Sequence, residues 1–336
     1  MQTESIIKVI QETNGTMTLE DLQNYKVISR EVASISYRGA ELHGIGAPGS
    51  GAVALNILKI MEQYDLADRK DVNLTMHRFD EAMRFAFSAR MELGDPDFVG
   101  HMDEFEDELL SDEKAKEVFG RILDDRTMPV EEYDPKHLYT TESHGTSHIS
   151  TADVSGMAAS LTTTVNLLFG AQIMDPVSGV IINNEMNDFS IPGVPNEFGF
   201  APSEANFIRP HKRPLSSMTP IIASRPDGTI LASVGAAGGS RIVSSTAQVL
   251  WHAIEHDMTI TEALRQPRIH DQLMPNHILV ENEFDKSTVA GLVERGHDIK
   301  WTPPRVSAAQ GVWRHENGVF EAAGDPRQKN SGGLTL

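Results

Sequence analysis

The run Gly145-Thr146-Ser147-His148 sets a hydroxyl directly behind a glycine carbonyl, where an irregular acidic segment gives way to an alternating pattern. A threonine hydroxyl is a weak nucleophile until a base sits beside it, and one base it can acquire is its own α-amine. That amine is free only once the bond between Gly145 and Thr146 is broken, and Gly145 has no side chain to obstruct attack on its carbonyl. Read alone, Thr146 is more simply a β-branched residue opening a strand, where threonine is common.

Three further patterns bear on the same chemistry. Gly235-Ala236-Ala237-Gly238-Gly239-Ser240 follows a strand-like run and precedes a helical one, so its amides can face an anion. It has neither Gly-Lys-Ser/Thr nor the Gly-x-Gly-x-x-Gly spacing of a phosphate loop, which leaves an oxyanion hole or a plain tight turn. Pro214-Leu215-Ser216-Ser217-Met218 carries two adjacent hydroxyls, and Asn183-Asn184-Glu185-Met186-Asn187-Asp188 carries two carboxylates three positions apart. Together they suit a zwitterion, hydroxyls for its carboxylate and acids for its ammonium. Singly, each reads as a solvated turn. The histidines His137, His144, His148, His252, His256 and His270 include no His-Glu-x-x-His spacing, so no metal site is expected.

These residues need elements to hold them. Residues 1–125 read as mostly helical, with an amphipathic piece at 5–11, a helix start where Thr18 precedes Asp21, and an apolar helix over 52–64. A second helix is expected over 76–93, where Phe79, Met83, Phe87 and Met91 recur every fourth residue. Residues 32–37 alternate like a strand, with 42–45 as hairpin partner. The Pro-rich, acidic stretch 124–143 reads as an exposed connection, the kind of segment where cleavage concentrates. Beyond it strands are expected at 147–152, 157–163, 180–183, 219–224 and 230–235, then a helix over 244–256.

Composition sets outer bounds. The 336 residues suffice for one large domain or two modest ones. A formal charge of -19 argues against nucleic acid, whose phosphates call for clustered Lys and Arg. No apolar run approaches the roughly 18 residues of a spanning helix. The absence of cysteine excludes disulfides, a thiolate nucleophile and thiolate metal ligands. Met-Gln-Thr-Glu-Ser at the start is not a secretory signal.

In combination the motifs resemble the γ-glutamyltranspeptidase (glutathione hydrolase) family, a branch of the N-terminal-nucleophile hydrolases. The resemblance is carried, in order, by Thr146-Ser147-His148-Ile149-Ser150, Thr162-Thr163-Thr164-Val165-Asn166 with Phe169-Gly170, and the 183–189 run. Arg213-Pro214-Leu215-Ser216-Ser217-Met218, Gly235-Ala236-Ala237-Gly238-Gly239, Pro267-Arg268-Ile269-His270 and Asp325-Pro326-Arg327 follow. Upstream, Tyr37-Arg38-Gly39 and Gly94-Asp95-Pro96-Asp97-Phe98 resemble the end of that family's large subunit.

The resemblance implies an α+β fold, a four-layer αββα sandwich with two mainly antiparallel sheets. It implies that 1–145 is the C-terminal part of a large subunit and 146–336 the small catalytic subunit, both released from one precursor by cleavage between Gly145 and Thr146. Thr146 would be the nucleophile, oriented by Thr164, with the amides of Gly238 and Gly239 as oxyanion hole. Asn166, Glu185 and Asp188 would hold the substrate's α-amine, and Ser216 and Ser217 its α-carboxylate. Substrates would be glutathione and other γ-glutamyl compounds, with water, amino acids or dipeptides as acceptors and no cofactor or metal. The family's carboxylate-gripping arginine has no counterpart in a matching motif, since Arg30, Arg38 and Arg84 lie in other contexts. By this resemblance the chain is shortened at its N-terminus. The alternatives are a glutaryl or cephalosporin acylase on the same scaffold and an uncleaved, inactive paralogue. Compartment is not encoded in the residues; the resemblance suggests an extracellular, periplasmic, plasma-membrane or vacuolar setting.

Overall fold

A computed structural model describes residues 2–139, 145–195, 199, 201–304 and 307–335. The last part of the expected cleavage segment, 140–144 with His144, lies outside the described residues.

The first half contains α1 (Gln2–Glu12), α2 (Leu19–Asn24), β1 (Val32–Tyr37), β2 (Ala40–Ile45), α3 (Gly51–Met61), α4 (Val72–Arg90), α5 (Met102–Leu109), α6 (Asp112–Arg121), α7 (Val130–Tyr133) and β3 (Leu138–Tyr139). The second half contains β4 (Thr146–Ala152), β5 (Ala158–Thr164), β6 (Ala201–Pro202), β7 (Ile221–Ser224), β8 (Ile230–Ala237), α8 (Arg241–Glu255) and α9 (Ile260–Arg265). It closes with β9 (Ile269–His270), β10 (Ile278–Glu281), α10 (Lys286–Glu294), β11 (Ile299–Thr302), β12 (Ala308–Arg314) and β13 (Phe320–Gly324).

Local chemistry explains several boundaries. Thr18 caps α2 reciprocally with Asp21, each side chain bonding the other's backbone amide. Arg38 and Gly39 take φ of 50° and 81°, the positive pair that a two-residue hairpin turn between β1 and β2 demands.

The main sheet has six strands in the order β1-β2-β7-β8-β12-β13, antiparallel throughout. The β2–β7 pairing joins the two halves of the sequence in one sheet, so a cut after Gly145 would leave the halves held by strand pairing and a shared core. Helices α3 and α8 pack on one face, and α4 packs against α3. Every residue of α3 is buried, as its Ala-Val-Leu-Ile composition requires, and Phe79 of α4 meets Trp251 of α8 with ring centroids 4.9 Å apart.

The opposite face carries the hairpin β4–β5, which forms the second sheet. Ser160 Oγ donates to Val234 O (3.2 Å) and Ser233 Oγ donates to Ala159 O (3.0 Å), so β5 runs alongside β8 in the same direction. The alternation of the hairpin is sharp. His148 faces β8 and is buried, while Ile149 and its partner Leu161 face outward at 55% and 57% exposure. Helices, sheet and sheet therefore stack as an α+β sandwich of the expected class.

Two expectations fail locally. Residues 180–183 form only a single bridge, Ile181 with Met174, not a strand. A turn closes directly ahead of the segment: Asp175 accepts from the Ser178 amide at 2.9 Å and Gly179 takes a φ of 74°. The 124–143 stretch is not wholly an exposed connection. It forms the turn α7, which buries Tyr133 with its hydroxyl donating to Glu81 Oε2 at 2.5 Å.

Candidate active site

Thr146 opens β4 and pairs with Thr164, the last residue of β5. Gly145 enters that pair with a φ of +115°, a conformation L side chains rarely adopt. A Cβ there would stand 2.6 Å from Asn166 O and 2.9 Å from Leu167 O, so any larger residue must push the chain away. Thr164 Oγ1 donates to the Gly145 carbonyl at 2.9 Å and accepts from the Asn166 amide at 2.8 Å. The Asn166 contact occupies an acceptor position of the hydroxyl, which leaves its proton for Gly145 O. The bond ahead of Thr146 is thus held with its oxygen on a directed donor.

Beyond Thr164 the chain turns back on the acidic segment. Asn166, 1% exposed, donates from Nδ2 to Asn184 O (3.1 Å), and the Leu167 amide donates to Asn184 Oδ1 (3.1 Å). Those bonds fasten the short helical turn Glu185–Asp188 beside the β4–β5 opening. Burial, then the hydrogen bond that Glu185 donates to Asp188 and the charge of Asp188, pushes the Glu185 carboxyl up to about 8. Burial also raises Asp188, opposed by its contact with Glu185, the charge of Arg90 and a hydrogen bond from Asn166. The two acids therefore share a proton near neutrality. Glu185 Oε1 and Asn166 Oδ1 are buried without a hydrogen-bond partner, so the pocket holds acceptors in want of a donor.

Ser217, 5% exposed, accepts from Arg90 Nη2 at 2.9 Å, while Ser216 Oγ accepts from the Met218 amide at 3.2 Å. Arg90 is within electrostatic reach of both Ser217 and Asp188, which brings the serine segment and the acid pair to one place. Sequence reading passed over this arginine. It ends α4 immediately before the Gly94-Asp95-Pro96 motif, but nothing in a helical period announces a partner 127 residues away.

Gly238 and Gly239 link β8 to α8 with φ of 132° and 63°, both in the region favouring glycine. Ala159 lies by Ser233, Ser160 by Val234, and His148, the partner of Thr162, over Gly235, so β5 and β8 advance together toward Thr164 and the glycine turn. The nucleophile candidate and the glycine turn thus lie at the same end of the stacked sheets, with the α8 N-terminus behind the turn. His148 fills the space over Gly235, where a Cβ would come within 2.2 Å of its ring. It bonds Thr162 Oγ1 and Ser150 Oγ, each at 2.9 Å, and burial lowers it to about 4, so it stands neutral as packing under the hairpin.

The one metal-like cluster among the described residues is none of the six histidines weighed above. It is buried His77, Glu81 and His297, with candidate ligand atoms within 4.8 Å of one another. His77 Nδ1 and His297 Nε2 lie 2.8 Å apart, and His77 Nε2 faces Leu123 O at 2.7 Å. Two nitrogens on one tetrahedral zinc stand about 3.3 Å apart for bonds of 2.0–2.1 Å. The closer spacing is that of a hydrogen bond, and the cluster reads as a buried polar network tying α4 to the end of α10.

A sheet-on-sheet α+β core with a threonine opening a strand behind a glycine is the scaffold of the N-terminal-nucleophile hydrolases. The chain belongs to the γ-glutamyltranspeptidase family, whose model matches residues 2–334. It is 48% identical to a glutathione hydrolase proenzyme of Arthroderma benhamiae over 99% of this chain and 57% of that protein. It is 43% identical to a glutathione hydrolase of Aspergillus flavus over 98% of this chain and 56% of that one. The chain spans about half the length of the curated relatives it matches. Among solved structures, a cephalosporin acylase from Bacillus halodurans superposes with a TM-score of 0.80 at 25% identity, over 97% of this chain and 57% of that one. A Helicobacter pylori γ-glutamyltranspeptidase mutant aligns with a TM-score of 0.50 at 36% identity, over 54% of this chain and 99% of that one.

Proposed function

We propose that this protein is a γ-glutamyl acyltransferase and hydrolase, acting on glutathione and related γ-glutamyl amides through Thr146. The observation that carries the reading is the pairing of two pockets of opposite character. The acids Glu185 and Asp188, with unpartnered Glu185 Oε1 and Asn166 Oδ1, suit a cation, while Ser217 on Arg90 suits an anion. A γ-glutamyl head group carries both charges on one carbon.

Maturation begins with Thr146 Oγ attacking the Gly145 carbonyl, whose oxygen the Thr164 hydroxyl already holds. The amide becomes an ester, water hydrolyses it, and Thr146 acquires a free α-amine. Residues 1–145 and 146–336 then form a large-subunit part and a small subunit, joined by the β2–β7 pairing. The Helicobacter pylori chain supports this division, since the share of our chain that covers it nearly completely matches the stretch from Thr146 onward in length.

In turnover the Thr146 amine takes the proton of its hydroxyl, which attacks the γ-carbonyl of the substrate. Asn166, Glu185 and Asp188 hold the α-ammonium, and Ser216 and Ser217 the α-carboxylate. The amides of Gly238 and Gly239 receive the developing oxyanion, a contact whose loss typically costs about 3 kcal/mol of barrier. The leaving amine departs protonated, and water or an acceptor amine opens the acyl-enzyme.

The likeness to a cephalosporin acylase supports a second reading, a glutaryl-type acylase. A glutaryl group lacks the α-ammonium and leaves Glu185 and Asp188 without a role. Comparing release of p-nitroaniline from the γ-glutamyl and glutaryl anilides separates the two. Preference for the glutaryl compound would overturn the γ-glutamyl reading.

A further inference from the structure

We propose that Arg90 is the positioning residue of the α-carboxylate pocket, aiming the Ser217 hydroxyl at the substrate and placing positive charge behind it. The inference rests on the γ-glutamyl reading above and adds a residue that the motifs do not mark.

Arg90 is only 4% exposed, and an arginine is seldom buried unless its donors are used. Two of its donors reach two serines. Nε donates to Ser50 Oγ at 3.0 Å, and Nη2 donates to Ser217 Oγ at 2.9 Å. Ser50 spends its own proton on Ser216 O at 2.6 Å, which forces it to be the acceptor toward Arg90.

Ser217 likewise takes the guanidinium proton on a lone pair, so its O–H must point away from Arg90. A hydroxyl polarised by a cation is a stronger donor than a free one. Arg90 need not touch the substrate. It converts Ser217 from a hydroxyl of either sense into a committed donor, which is what a carboxylate requires.

The surrounding backbone is built to the same purpose. The Ser216 amide donates to Pro48 O at 2.7 Å and the Ser50 amide to Met218 O at 3.0 Å. Those backbone bonds, with Arg90 on Ser50 and Ser217, tie the loop ahead of α3 to the Ser216–Ser217 segment. Among the described residues, the titratable groups that feel its charge include Asp188, which it lowers, and His270, which burial above all keeps neutral at about 3. Its field thus acts on both poles of the pocket.

Lysine cannot replace this arrangement, because one compact ammonium does not reach two serines with the geometry of a planar fork.

The test is equilibrium binding of two ligands by ligand-observed NMR titration, L-glutamate and 4-aminobutyrate, the second lacking only the α-carboxylate. Wild type is expected to prefer glutamate. Arg90→Met should lose about 10- to 100-fold for glutamate, the range for hydrogen bonds to charged groups, and less than about 3-fold for 4-aminobutyrate. Arg90→Lys should fall between, and the Arg90→Met/Ser217→Ala pair should lose little more than Ser217→Ala alone. Thermal unfolding identifies a variant that fails to fold, in which case Arg90→Lys carries the comparison.

Equal loss for both ligands, or no loss for glutamate, in an enzyme that prefers glutamate overturns the role of Arg90 alone. A wild type without that preference overturns the γ-glutamyl reading and this inference with it.

Discussion

Replacing Gly145 by alanine should slow maturation far more than it disturbs the fold. The φ of +115° belongs to a region where a Cβ costs of order 1–3 kcal/mol, and here the new carbon would also meet Asn166 O at 2.6 Å. Neither neighbour yields easily, since Asn166 is buried and its side chain is tied to Asn184. The chain before Thr146 must therefore rotate, carrying the Gly145 carbonyl off the Thr164 hydroxyl, now 2.9 Å away. Loss of one well-placed donor to a developing oxyanion slows acyl transfer by roughly 10²–10³-fold. We expect a reduction of about 10²-fold in the rate at which full-length chain disappears, followed by intact mass spectrometry after purification under conditions that suppress cleavage. Unfolding temperature should fall by only a few degrees, because a cost of about 1–3 kcal/mol is small against the unfolding entropy of a chain this long. An alanine variant cleaving within about 3-fold of wild type would refute the claim that Gly145 and Thr164 together set the geometry of attack.

Thr164→Val removes the same donor while keeping shape, so it should slow cleavage comparably, and combining it with Gly145→Ala should add little; full additivity in the mass time course would show separate routes. The proton shared by Glu185 and Asp188 competes with a substrate ammonium, so KM for a γ-glutamyl anilide should fall as pH rises from 6 toward 8, the value to which Glu185 is pushed. Glu185→Gln should flatten that profile, and an unchanged slope in the variant would exclude Glu185 as its source. Burial raises Glu81 to about 7 from a reference of 4.5, so its contribution to stability is complete below pH 4.5 and is lost as pH rises through 7. That loss amounts to about 3 kcal/mol. His77 and His297, both lowered by burial, act in the opposite sense below pH 6.5. The difference between wild type and Glu81→Gln in urea unfolding at pH 5 and pH 8 isolates the Glu81 part, and a difference independent of pH would disprove it.

Much of the scaffold was legible because its signals are local. Thr18 with Asp21 marks a helix start, the alternation of 32–37 followed by 42–45 marks a hairpin, and the four-residue recurrence of Phe79, Met83 and Phe87 marks α4. The position of Thr146 at the mouth of a strand was legible for the same reason. The strand expected at 180–183 failed because apolar alternation there competes with Asp175 and Gly179, which close a turn immediately upstream. Arg90 and the His77–His297 contact were not legible at all. Their partners lie 127 and 220 residues away, and long-range pairing of polar side chains leaves no period in a sequence. The order of motifs, more than any single one, linked Glu185, Asp188, Ser216 and Ser217 before the fold brought their segments together around Arg90.

The central claim is that Thr146 is a nucleophile that first frees itself. It is tested most directly by N-terminal sequencing of the purified protein after incubation, with Thr146→Ala treated in parallel. The account predicts a new N-terminus reading Thr-Ser-His-Ile in wild type and a single uncut chain in the variant. Cleavage of the variant at the same bond, or a wild type that stays whole, would contradict it.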